Sequence, residues 1–468
     1  MKRKLTVGMM IFVMCVGVFA GWKETSGGMA QQTGVSVKTK LVWQSDSCFK
    51  RHEAYFNRVL KEKNLPYELE IVTEDSKTTE QQADLKTVLW TWKDTYDMTE
   101  EIKQGEFLAL DSYLDSEEGQ VIRQSLPENI WKTYQVGGNA YTVLTTGFVP
   151  KQTVYIWDRE LAEKYDVHPE TWNERIWEYA DELKKVQEGE ADREAFTVIE
   201  GLERYGECLK GLTPVLGDCY PVYINEHAKD GKAGLLYEMP EYQEYEAGIK
   251  KLKETGVYQP NAVTESAQQE SFLKVFTDFT TADGYAAYYE SEGFWETHAW
   301  KELYREPLWR LSVCAVETGI AADSDHPDEA FSFLCLLYED RDLVNALTWG
   351  EEGRDYRLSG NTAEDVMNGT YLPARYTGNH LIAHAEVGQD ENKEELYPKL
   401  LASCRNSRIN GFDFSGKACE QELNALYQAY EECQASDLDR EDRIEKCREA
   451  GADKILEEWN RQYREWNK

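Results

Sequence analysis

The sequence predicts an α/β protein, and three neighbouring stretches carry that prediction. "KTKLVWQ", residues 38–44, has the composition of a strand. "CFKRHEAYFNRVLKEKNLP" follows, with Phe49, Phe56, Val59 and Leu60 at helical spacing, and "YELEIVT" then alternates Tyr67, Leu69 and Ile71 as a second strand. A strand–helix–strand rhythm of this length builds a sheet with helices packed on it.

The remaining elements follow in order. Asn64 and Pro66 end the first helix. "DLKTVLWTW" reads as a strand, and "YQVGGNAYTVL" as a hairpin turning at Gly137-Gly138-Asn139. "DRELAEKY" and "ETWNERIWEYADELKKV" read as helices, "AFTVIE" and "KAGLLYEM" as strands. Pro240 opens a helix that Gly256 closes. "LWRLSVCAV" reads as a strand and "HPDEAFSFLCLLYED" as a helix with Pro327 in its first turn. In the closing helix Ile455, Trp459, Tyr463 and Trp466 share one face, which should dock on a core.

With 468 residues the chain exceeds one core, and two or three domains are expected. The net charge of −34 argues against nucleic acid as a partner, because a phosphate backbone would be repelled. Lys2, Arg3 and Lys4 precede an apolar run from Leu5 to Ala20, which is too short for a membrane span. Residues 1–20 are expected to be a signal peptide and 21–37 a flexible tether. Of ten cysteines, Cys15 lies in that signal, so the remaining nine cannot all pair within one chain. Cys433 and Cys447 would lie about 21 Å apart on one continuous helix, so they could not bridge unless the chain turned back between them.

Searches for catalytic signatures fail on particular residues. "HEAYF" has Phe56 where a zinc-protease helix needs its second histidine. "GFDFSGKA" fits a phosphate loop up to Lys417, but Ala418 replaces the hydroxyl that would hold magnesium. "DSDHPDEAFSFL" lacks the glycine of a calcium loop, and no G-x-S-x-G elbow occurs. No catalytic residue, metal or cofactor is expected.

The distinctive feature is tryptophan, 14 in all. Trp43 ends the first strand, with Ser45 and Asp46 after it; Trp90 and Trp92 end another, with Asp94 after them. Trp295 lies in the polar loop "ESEGFWETHAW", and Trp349 precedes Gly350 at a helix end. In open α/β sheets ligands bind beyond the carboxyl ends of strands. An indole covers the apolar face of a sugar, while short polar side chains take its hydroxyl rim. The expected ligand contacts are therefore Trp43, Trp90, Trp92, Trp295 and Trp349 as stacking faces, with Ser45, Asp46 and Asp94 as polar partners. Trp309 joins them as a weaker candidate, since core packing would also account for it.

Four stretches carry a family resemblance: "GGNAYTV" at 137–143, "GIAADSDHPDEAFSFLCLLYEDRDLVNALTWGEEGRDYRL" at 319–358, "NGFDFS" at 410–415, and the closing helix "CREAGADKILEEWNRQYREW". They resemble the extracellular solute-binding proteins of carbohydrate ABC importers, specifically a branch of large bacterial lipoproteins. Trp349-Gly350-Glu351-Glu352-Gly353, followed by Tyr356, is similar to that branch's Tyr-Gly-x-Glu-Gly turn. The resemblance implies a two-lobed periplasmic-binding-protein-like fold of class II type, with crossings near 146–152, 307–314 and 360–410 and a helical C-terminus. Lobe 1 would take 38–146 plus 315–360, and lobe 2 would take 147–314 plus 361–468. It implies a monomer that closes on a sugar or oligosaccharide and delivers it to an ABC permease. The alternative is a surface protein that binds glycans or partners without import. Trp22 stands where the lipid-bearing cysteine of that branch is expected. The chain is therefore expected to be exported, and either released by a cut after Ala20 or held by its uncleaved signal.

Overall fold

The structure is a computed structural model. It describes residues 38–468 apart from 46, 74–81, 89–93, 147–148, 151, 191–192, 200–210, 218, 259–270, 280, 283–292, 310–315, 367–376, 387–388 and 437. The expected signal and tether lie outside the described residues, as do Asp46, Trp90 and Trp92.

Strands among the described residues form four sheets. In chain order they are β1 (Thr39–Gln44), β2 (Tyr67–Val72), β3 (Leu85–Val88), β4 (Thr142–Leu144), β5 (Gln152–Asp158), β6 (Glu194–Ile199), β7 (Leu212–Pro214), β8 (Val222–Asn225), β9 (Gly234–Leu235), β10 (Ser271–Phe279), β11 (His298–Arg305), β12 (Glu317–Ile320), β13 (Tyr356–Ser359), β14 (Thr362–Asp365) and β15 (Ala385–Glu386). Helices of eight residues or more among the described residues are α1 (Ser47–Glu62), α2 (Asp94–Gln104), α3 (Ala180–Gly189), α4 (Pro240–Glu254), α5 (Pro327–Glu339), α6 (Arg341–Thr348), α7 (Lys393–Ser403), α8 (Glu420–Gln434), α9 (Arg440–Glu449) and α10 (Ala452–Trp466).

The first large sheet runs β2-β1-β3-β12-β4, with β1 parallel to β2 and β3, and β12 antiparallel to both β3 and β4. Its register follows the predicted alternation: Tyr67, Leu69 and Ile71 are buried while Glu68 is exposed. α1 buries Phe56 and Leu60 against this sheet's core. α6 lies antiparallel to α1. Leu347 O meets His52 Nδ1 at 2.6 Å near one end, and Lys63 meets Asp340 and Asp342 at 3.0 and 2.7 Å at the other.

The second large sheet runs β11-β5-β10-β6. Side chains on alternate positions of its strands enter two apolar clusters. Tyr155, Trp157, Phe196, Leu273 and Val275 join one; Val154, Ile156 and Phe276 join the other, with Phe279 and Phe294. Both faces are therefore covered, which explains strands that read as continuous apolar runs.

Two main cores result. One holds Trp43, Phe56, Ile71, Leu85, Phe333 and Leu347. The other holds Trp157, Trp172, Phe196, Tyr237, Leu426 and Trp459. The chain passes between them three times: between Val149 and Tyr155, at Leu308–Trp309, and between Cys404 and Ile409. The last two passages are hydrogen-bonded to each other. Leu308 N donates to Arg405 O and Ser407 N to Leu308 O, both at 2.8 Å.

Several local expectations differ from the structure. Residues 170–186 do not form one helix but 3-10 turns at Pro169–Thr171 and Ile176–Tyr179 followed by α3. Trp172 and Trp177 are both buried, and five positions apart they would point to different faces of one helix. "KAGLLYEM" gives only the two residues of β9 and a 3-10 turn. Gly137 and Gly138 do turn with positive φ, but β4 pairs with β12 rather than with the strand before the turn. Ile455, Trp459 and Tyr463 are buried as expected, whereas Trp466 at the end of α10 is exposed. Residues 377–404, expected with the second lobe, pack Leu381, Tyr397 and Leu401 into the first core. Asn129 Nδ2 fastens that segment with a 3.1 Å bond to Leu401 O.

Candidate functional site

Strand direction brings Trp43, Ser45 and Trp349, of the candidate residues, to one edge. β1, β2 and β3 are parallel and end together; β12 begins there, because Glu317 lies opposite Val88 and Leu144. α1 starts at this edge and the antiparallel α6 ends there, which sets Ser45, Thr145, Thr146 and Trp349 around it. In the second sheet Gln152, at the start of β5, lies opposite Phe279 of β10 and Arg305 of β11. Its strands β6, β10 and β11 therefore also direct their carboxyl ends to the crossing side. This is the edge at which open α/β sheets bind ligands.

A polar network occupies that edge. Trp43 Nε1 donates to Thr87 Oγ1 at 2.8 Å, Thr87 Oγ1 lies 2.7 Å from Thr318 Oγ1, and Thr318 Oγ1 meets Thr377 Oγ1. Thr142 Oγ1 donates to the fully buried carboxylate of Glu317 at 2.5 Å. Thr146 Oγ1 donates to Asn379 Oδ1 at 2.7 Å, and Tyr338 OH to Leu144 O at 2.5 Å. Ser45 N is bonded to Val72 O at 2.9 Å. The Ser45 hydroxyl is buried with no hydrogen-bond partner, in a residue only 8 % exposed. Such a group costs about 1–3 kcal/mol unless something completes it.

The tryptophans divide by surroundings. Trp43 is fully buried and meets Phe333 edge-on at 6.0 Å, so it packs the core and presents no open face. Trp309 is likewise a core residue of the second cluster, its Nε1 3.3 Å from Glu306 Oε1. Trp349 is 3 % exposed and lies under the small sheet β13-β14-β15, tilted against Tyr356 at 5.8 Å. These three expectations of an open stacking face are corrected by the packing around each indole. Trp295 is half-buried, with Nε1 donating to Ala282 O at 2.9 Å and its edge on Phe294. Asp94 begins α2.

The Trp349 turn is rigidly built. Gly350 has φ +79°, and a side chain there would meet Asp355 Oδ2 at 2.4 Å and His52 at 3.1 Å. Asp355 Oδ2 accepts from Glu351 N at 2.8 Å. Burial alone would raise the Asp355 carboxyl, but the Arg354 guanidinium and the Glu351 amide hold it below its ordinary value. Burial lowers His52 against the opposing bond to Leu347 O, and pushes the Tyr356 phenol up to about 12.

Sequence reasoning missed the threonines, Glu317 and Trp300. Thr318 and Glu317 were legible as polar interruptions in an apolar strand, "AVETGI". Trp300 is 40 % exposed on the edge strand β11 and lies 4.8 Å from the Phe279 ring. It stands in the quoted "ESEGFWETHAW", where its position in an alternating strand was the available signal. Among the described residues no His, Cys, Asp and Glu cluster could hold a metal ion, and no helix is long and apolar enough to cross a membrane.

The fold is similar to that of solved solute-binding proteins. An N-glycan transport solute binding protein (NgtS) from Streptococcus pneumoniae superposes with a TM-score of 0.63, covering 91 % of this chain and 98 % of that one at 18 % identity. Its complex with Man1GlcNAc gives 0.57 over 91 % and 99 %, again at 18 % identity. In sequence the chain is 22 % identical over 383 residues to a carbohydrate ABC transporter substrate-binding protein of Streptococcus pneumoniae, covering 76 % of this chain and 75 % of that protein. No protein-family model matches.

Proposed function

We propose that this chain is the extracytoplasmic binding protein of an ABC importer and captures a sugar or oligosaccharide between its lobes. The observation that carries this reading is the likeness in fold of 91 % of the chain to a solute-binding protein solved with a bound glycan. Lobes of 38–149 with 316–404, and 152–307 with 409–468, closing about the passages would bury the ligand. Bound ligand favours the closed state through its contacts with both lobes, and a permease would recognise that state. The chain acts as an exported monomer and carries out no catalysis. Ser45 supplies a buried hydroxyl awaiting a partner, with Asp46, Trp90, Trp92 and Asp94 following β1 and β3 in sequence, and Trp295 and Trp300 offering ring surface from the second lobe.

A thermal-shift screen of residues 37–468 against mono- and oligosaccharides, mannose- and N-acetylglucosamine-containing glycans among them, tests this. At a hundredfold excess over Kd the ligand adds about 2.7 kcal/mol, a rise on the order of 5–10 °C. A rise with one glycan class and a change in Trp fluorescence is expected. No rise across the panel would overturn the sugar assignment.

A further inference from the structure

The two cysteines that one continuous helix would hold apart are brought together. Cys433 lies in the last turn of α8 and Cys447 in the last turn of α9, and the two helices pack against each other. Both side chains are fully buried within the second core. Both are free cysteines in the structure, and each influences the other's protonation. α9 packs back on α8, which supplies the reversal that a bond requires.

We propose that in the exported protein Cys433 and Cys447 are joined as a disulfide that fastens α8 to α9. The bond forms by exchange with a disulfide-bearing oxidant, either a small molecule or an exported oxidoreductase. One cysteine loses its proton and attacks the oxidant, giving a mixed disulfide and releasing one oxidant thiolate. The second cysteine loses its proton, attacks the sulfur of the first and displaces the other oxidant thiolate. Two electrons pass to the oxidant, which leaves as a dithiol after taking up the two protons. Timing follows from burial, which raises the Cys433 thiol and pushes Cys447 up to about 12. A folded thiol of this kind is a poor nucleophile, so the bond forms while the helices are still docking. Once made, it is shielded from reductants by the same packing.

The proposal rests on export to an oxidising compartment and needs no ligand, so its failure leaves the glycan assignment standing. The full chain, secreted from a bacterial host, is denatured without reductant, blocked with N-ethylmaleimide and digested. The expected result is a peptide pair linked through Cys433 and Cys447 that separates on reduction. Recovery of both cysteines as maleimide adducts, or a bond from either to a different cysteine, would overturn the proposal. A second measurement does not depend on digestion. A wild-type chain unfolded in reductant, refolded and kept reduced should melt about 5 °C or more below the untreated chain for a loop of this length, and the same treatment should leave the Tm of the Cys433→Ala, Cys447→Ala double variant unmoved. Equal responses in the two proteins would also overturn it.

Discussion

Replacing Trp43 separates a packing role from a ligand-stacking role. The indole is fully buried, donates to Thr87 Oγ1 at 2.8 Å and meets Phe333 edge-on. Trp43→Phe keeps an aromatic ring against Phe333 but loses the Nε1 bond, worth about 1 kcal/mol net. It also leaves a small void costing about 1 kcal/mol. Thr87 Oγ1 is not stranded, because it remains bonded to Thr318 Oγ1. The expected loss is therefore about 2 kcal/mol, against about 3–5 kcal/mol for Trp43→Ala, which approaches the whole stability of a marginal domain. Chemical denaturation gives the stability change, and titration of Trp fluorescence with the glycan found by thermal shift gives Kd. A core role predicts a lowered denaturation midpoint with Kd within about twofold of wild type. A stacking role predicts at least a tenfold weaker Kd, about 1.4 kcal/mol. An unchanged midpoint together with the tenfold loss would refute the assignment of Trp43 to the core.

Two further substitutions probe packing and protonation. Gly248 in α4 lies under the indole of Trp177, where an added Cβ would come within 2.1 Å of Cδ2. Gly248→Ala should therefore cost about 1–3 kcal/mol by overpacking, outweighing about 1 kcal/mol of helix propensity; an equal or higher Tm would contradict this. His52 is held neutral by burial, below the ordinary histidine value of 6.5. As pH falls from about 7, the unfolded chain takes up a proton that the folded chain refuses, so stability declines until the folded pKa is passed. His52→Gln should flatten the fall in Tm between about pH 7.5 and 5.5, and an unchanged slope would exclude His52 as a source.

Much of the frame was legible in the sequence because apolar periodicity encodes it directly. Leu69 and Ile71 alternate into a core, and Pro240 and Pro327 each open the helix expected of them. Residues 170–186 were not legible, because Trp172 and Trp177 reach the same core through separate 3-10 turns, and tertiary packing overrode helical pattern. For the proposed site, strand ends pointed to an edge, but tryptophan identity could not tell a ring that packs from one that is presented, since both uses need the same side chain. Trp43 and Trp349 are covered by Phe333 and Tyr356, which are distant in sequence or join from a separate small sheet. Cys433 and Cys447 met only because the chain reverses after α8, a feature of the turn rather than of either helix.

The paired passages at Leu308 and Asn406 have a mechanical consequence. Two independent links would let the second lobe swing, twist and slide relative to the first. Hydrogen-bonded side by side, with Glu226 accepting from Arg408 N at 3.1 Å and bonding the Ser407 hydroxyl, they behave as one ribbon that flexes across its width and resists torsion. A clamp hung on such a leaf hinge has essentially one axis of travel. In the closure proposed above, the jaws would return to the same alignment each time, and less freedom would be left for a ligand to take away.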